Sequence, residues 1–282
     1  LILGRLPAND EFELSDRLRA VVGSHRKAFE LLQTHFSATD FTQAQQQRRN
    51  DVLVYFALSL FEKRQAKSHM PAKLQRDIKA QFSDYNGCIE AARELLFSVG
   101  KPPIIAQACE LAHHTFNSGQ LRRQAGDSHS YIFNKTLLNQ MPPAIRAYVG
   151  CAAQLYGDLD GIDLIKVHIR SGKVTLLKYD NFTDNALPLL TERIKIRLHD
   201  LDIDFFIYGD EYPYQPLYDK SAFLDSALNS TTTEHKKQLA FEKRISKQLE
   251  GLPLEQLPNW DVLQRIFQYQ GVELRGGRFY RV

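Results

Sequence analysis

The stretch whose reading decides the fold is Ile162-Asp-Leu-Ile-Lys-Val-His-Ile-Arg170, Ser171-Gly172, Lys173-Val-Thr-Leu-Leu-Lys-Tyr179. Two runs rich in β-branched residues flank a Ser-Gly pair, the pattern of a β-hairpin. Side chains alternate across a strand, so Ile165, Val167 and Ile169 share one face. With Ser171 and Gly172 as the whole turn, Arg170 pairs with Lys173, and Val174 and Leu176 join that apolar face. The opposite face then carries Lys166, His168, Arg170, Lys173 and Thr175. Downstream, Arg193, Lys195, Arg197 and His199 alternate with Ile194, Ile196 and Leu198. The sequence therefore predicts an antiparallel sheet with one apolar and one cationic face.

Working outward, the chain reads as α+β, with a helical domain over residues 1–125 and an α+β domain over 126–282. Gly23 stops a first helix, Ser24 caps a second, and Asp40 is placed to cap a longer third. The run Val52–Phe61 is apolar on all sides and predicts a buried central helix. Pro71 opens a helix with Leu74, Ile78 and Phe82 on one stripe, and further helices follow over 88–99 and 104–116. The polar, glycine-containing segment 117–130 reads as the domain boundary, with a short strand at 131–133 after it. Pro142-Pro143 opens another helix, and the proline-rich segment 210–218 reads as a loop. A charged helix over 233–249 and a helix over 260–270 precede a hairpin turning at Gly276-Gly277.

Composition narrows the function classes. With 43% hydrophobic and 24% charged residues the chain is an ordinary globular one. A net charge of +3 makes no global case for nucleic acid, so any such case rests on local clustering. Cys88, Cys109 and Cys151 lie far apart without CxxC spacing, which points to a reducing, cytoplasmic compartment rather than a disulfide framework or structural zinc. No apolar run approaches the ~18 residues of a membrane span. There is no GxGxxG loop, Walker lysine loop, HExxH or GxSxG elbow, so no cofactor site is expected in this chain and no catalytic residue is assigned. Cys109 and His113, one helical turn apart, lack the further ligands zinc wants, and Asp158, Asp160 and Asp163 beside Gly157 and Gly161 fit a turn better than a metal site.

The cationic faces carry the chemistry that remains. Lysines and arginines at two-residue spacing stand about 6–7 Å apart along a strand, near the ~7 Å step between phosphates of one nucleic-acid strand. Their charges are nearly all of one sign, where a merely solvated face mixes signs. Lys166, His168, Arg170, Lys173, Arg193, Lys195 and Arg197 are thus the candidate nucleic-acid-binding residues. His168, between Lys166 and Arg170, is expected to have a depressed pKa and a neutral ring.

Gly4-Arg-Leu-Pro7, Gly23-Ser-His-Arg-Lys-Ala-Phe29, Leu53-Val-Tyr-Phe-Ala-Leu58, Leu74-Gln-Arg-Asp-Ile-Lys79, Glu94-Leu-Leu-Phe97, the segment 137–150, Asp163-Leu-Ile-Lys-Val-His168 and Val272-Glu-Leu-Arg-Gly276 together resemble the C-terminal half of a known bacterial family. That family comprises the DNA phosphorothioation-associated proteins classed as methyltransferases. The resemblance covers essentially the whole chain. It implies an S-adenosylmethionine-binding domain upstream, and the start at Leu1, amid what reads as mid-protein sequence, fits a fragment of a longer protein. Phe133-Asn134 and Tyr218-Asp219 stand where the family has His-Arg pairs, so those two positions are not carried over; Lys166, His168 and Lys173 match. The resemblance implies a non-catalytic part that contacts the DNA backbone for an upstream methyltransferase domain. The competing expectation is a module that docks on protein partners of a DNA modification or defence system. An enzyme centred on His168 alone is the third.

Overall fold

Capping signals decide where the first helices begin and end in the computed structural model, which describes residues 1–62, 69–124, 127–224, 233–253 and 256–282. Helix α1 (Ser15–Val22) stops at Gly23, whose φ of +95° suits glycine, and Ser24 opens α2 (His25–Leu32) by accepting from Lys27 N at 3.1 Å. Helix α3 (Ala38–Ser59) is capped by Ser37 rather than Asp40. Ser37 Oγ accepts from Asp40 N while the Asp40 carboxylate accepts from Ser37 N at 2.8 Å, a reciprocal capping box. Helices α4 (Ala72–Phe82) and α5 (Tyr85–Ser98) follow. Val52, Phe56, Ile78, Cys88 and Ala92 from α3, α4 and α5 make one buried core. The apolar run at the end of α3 is not buried all round, since Tyr55 and Phe61 are each more than half exposed.

Two compact units divide the chain: residues 1–100 with 142–147, and residues 101–141 with 148–282. The expected boundary at 125/126 falls outside the described residues. Helix α6 (Pro102–Phe116), read from sequence as part of the helical domain, belongs with the sheet because it packs on the first two strands. Those strands, β1 (Gln120–Gln124) and β2 (Asp127–Asn134), occupy much of the segment expected to be a boundary loop. After α7 (Pro143–Tyr156) come β3 (Leu164–His168), β4 (Lys173–Tyr179), β5 (Leu189–Arg197) and β6 (Asp202–Ile207). Strands β1 to β6 form one antiparallel meander in chain order, and a two-residue β7 (Gln215–Pro216) in the proline-rich loop adds to β5. Helix α8 (Thr233–Leu249), helix α9 (Trp260–Tyr269) and the hairpin of β8 (Val272–Arg275) with β9 (Arg278–Arg281) share a second core of Leu187, Phe241, Ile245, Leu263 and Phe267. Arg275 pairs with Arg278 around Gly276 (φ +52°) and Gly277 (φ +73°), the two positive φ values of a type I′ turn. No described helix is long and apolar enough to cross a membrane.

The helical unit is held at one point by charge. Asp77 is fully buried and accepts from Arg5 Nε at 2.7 Å and from Arg48 Nη2 at 2.5 Å. Arg5 also holds Glu11 at 2.6 Å, and this bond keeps the Glu11 carboxyl down at about 2. Removing one partner of a buried pair leaves the other uncompensated, at a cost of about 3–5 kcal/mol. Asp77→Ala is therefore expected to lose about 3–5 kcal/mol of unfolding free energy in urea titration; a loss below about 1 kcal/mol, the range of exposed pairs, would show that Asp77 does not anchor the unit.

Candidate functional site

Strand register builds the site. Lys166 pairs with Thr175, which pairs with Lys195; His168 pairs with Lys173, which pairs with Arg197; and Leu177 pairs with Arg193. Directly paired residues point to the same side of a sheet, so Lys166, His168, Lys173, Arg193, Lys195 and Arg197 all leave one face. Tyr131, Phe133, Ile165, Val167, Leu176 and Ile194 leave the other, and all are fully buried. The two-faced sheet is therefore present.

Two of the sequence-predicted residues behave differently from expectation. The hairpin closes at His168–Lys173, so its loop has four residues, Ile169–Gly172, and Arg170 lies exposed in that loop rather than opposite Lys173. Arg197 is taken up by acidic neighbours. Its guanidinium donates to Asp204 at 2.7 Å and to Asp202, with Asp200 at 3.4 Å. Asp202 is its direct cross-strand partner on β6.

Of the remaining predicted residues, Lys166, His168, Arg193 and Lys195 border a cleft of about 390 Å³ on this face, and Lys173 lies outside its lining. Lys166, Arg193 and Lys195 line it together with Arg122 of β1, a residue that sequence reading left in a loop. None of Lys166, Lys173, Arg193 and Lys195 forms a carboxylate ion pair among the described residues. The Arg193 guanidinium lies 4.3 Å over the Phe206 ring, and its buried Nε has no hydrogen-bond partner among the described residues. Past Arg193, which stands opposite Leu177, the cleft is lined by the apolar side chains of Leu164, Leu177, Leu190, Leu217 and Phe223. Gln120 and Asp219 add a polar group there, the Gln120 amide donating to the Asp219 carboxylate.

Crowding of like charge marks the cationic end. Burial, then Arg122 and Arg193, pulls the Lys166 ammonium below its ordinary pKa. Burial brings His168 down to about 4, with Lys166, His129, Lys173 and Lys195 adding to the effect. The neutral ring expected from sequence is thus supported, with burial as its leading cause. His168 Nε2 lies 3.0 Å from Thr175 Oγ1, so the ring is held in place. An arrangement of several unneutralised cations around a depression is stabilised by an incoming anion, which relieves their mutual repulsion.

The other candidates have structural uses. Asp163 accepts from Tyr179 N at 2.7 Å, and burial raises the Cys109 thiol to about 12, leaving it protonated. Lys220, next to Asp219, is buried and donates to the carbonyls of Thr183 and Asn185 at 3.0 and 2.8 Å. No protein-family model, curated protein or solved structure matches the chain.

A histidine whose folded pKa lies at about 4, below its ordinary 6.5, favours the unfolded chain once protonated. Its contribution is complete above pH 6.5 and is lost as pH falls through 4. His168→Gln, which can still bond Thr175, is expected to lose less stability than wild type between pH 7 and 4.5 in paired urea titrations; equal losses would place no proton cost on His168.

Proposed function

We propose that this chain is a DNA-contacting, non-catalytic part of an S-adenosylmethionine-dependent DNA methyltransferase associated with phosphorothioation systems. The family resemblance motivates the enzyme context, and the cofactor belongs to the domain that the resemblance implies upstream. The observation that carries DNA contact is the convergence of Arg122, Lys166, Arg193 and Lys195 on one cleft of the sheet, without neutralising carboxylate ion pairs among the described residues. A net charge of only +3 makes this local concentration informative, because it does not follow from the average composition.

The geometry revises which residues do the work. Lys166, Arg193, Lys195 and Arg122 make the phosphate contacts, with Lys173 and His168 beside them. Arg197 is spent on Asp202 and Asp204 and serves the β5–β6 pairing. Contacts of this kind fix register on the backbone and carry no sequence information.

Each neutralised phosphate adds about 0.9 to the log–log salt slope on duplex DNA. Lys166→Gln with Lys195→Gln is expected to weaken DNA binding and to lower that slope by roughly 0.7–0.9, the two ammonium groups meeting one phosphate, in fluorescence-anisotropy titrations at several salt concentrations. Arg197→Ala is expected to leave the slope unchanged. Equal affinity and slope for wild type and the double variant would remove the proposal.

A further inference from the structure

We infer that the cleft seats a single terminal or unpaired nucleotide of the DNA, its phosphate at the lysine end and its base at the leucine end. The inference rests on the DNA reading above and narrows it. A cleft of about 390 Å³ falls near the lower end of the range for small-ligand sites, and it is a poor seat for a length of duplex. A duplex would need an extended row of cations, and the row along β5 is cut short where Asp202 and Asp204 neutralise Arg197. What is left converges. Lys166 and Lys195 stand two strands apart, about 9–10 Å at the backbone, within reach of one phosphate for two side chains of lysine length.

The two ends differ in chemistry, as a nucleotide's do. Beside Lys195 on β5, the Arg193 guanidinium lines the cleft and supplies N–H donors from which a phosphate oxygen can accept. Away from them, Leu164, Leu177, Leu217 and Phe223 offer an apolar wall suited to the flat of a base. At that wall, Gln120 and Asp219 can exchange their mutual bond for a base edge, the carboxylate accepting from an exocyclic amine and the amide doing either. A terminal phosphate carries nearly two negative charges at neutral pH, against one for a backbone diester. Crowded cations favour the more highly charged group.

The test is competition against a fluorescent 5′-phosphorylated single-stranded oligonucleotide bound to the full chain. The unphosphorylated twin should bind about tenfold more weakly, as expected for one charge-assisted contact. A deoxynucleoside monophosphate should displace the probe better than deoxyribose 5-phosphate or inorganic phosphate, because only it fills the leucine end. Lys166→Gln, with its urea midpoint checked, should abolish the preference for the phosphorylated end. Twin oligonucleotides that bind alike, with closed circular duplex competing equally per phosphate, would overturn the inference and leave the DNA proposal standing. Seating of the mononucleotide without binding to any polymeric DNA would overturn the DNA proposal and uphold the cleft assignment. Inorganic phosphate as effective as the mononucleotide would overturn the nucleotide seat.

Discussion

The pairings β2–β3, β3–β4 and, from Lys173 to Lys178, β4–β5 run in one antiparallel register, and the two faces of the sheet depend on it. Because the strand period is two, each aligned pair commits both residues to the same side. Ile165 opposite Leu176 opposite Ile194 produces a dry layer; Lys166 opposite Thr175 opposite Lys195, one residue along, produces a wet one. The cost of crowding ammonium groups on the wet side is carried by the burial of the dry side, where Tyr131, Phe133, Val167 and Val174 are all inaccessible to solvent. Burial first, and the like charges around them second, lower the pKa values of Lys166 and His168.

The same register also sorts the cations by what stands next to them. Strand β6 sets Asp202 against Arg197 and Asp204 against Lys195, yet among the described residues only Arg197 closes ion pairs with these carboxylates. Phe206 sits opposite Arg193 and offers a ring face instead of an anion. A row that looks uniform in sequence therefore ends in a neutralised Arg197 at one end and carries half-buried positive charge at Arg193 and Lys195. The edge of the row becomes structural and the centre remains available to a ligand.

Much of this was legible from residue order. The alternation of Lys166, His168, Lys173, Arg193 and Lys195 with branched apolar residues placed them on one face, and Gly23, Ser24 and Gly276-Gly277 marked their turns and caps. What stayed hidden were neighbours far along the chain. Arg122 lies in a short strand with a register irregularity beside it, between Arg122 and Arg123, which breaks the period by which strands are recognised. Asp219 reaches the cleft from a proline-rich connection, and its partner Gln120 is ninety-nine residues away. The carboxylates that claim Arg197 belong to a strand, Asp202–Ile207, whose acidic start gave no hint of its register.

The hairpin loop offers one last consequence. Its span of four residues in place of two moves the closing pair from Arg170–Lys173 to His168–Lys173, yet every side chain keeps the side expected of it. Only an odd shift in the pairing register exchanges the sides. A residue gained between Ile169 and Gly172 can be taken up in the loop while His168 stays opposite Lys173, whereas a one-residue slip of β4 along β3 would drive Lys173 and Thr175 into the dry layer and turn Val174 and Leu176 out to water.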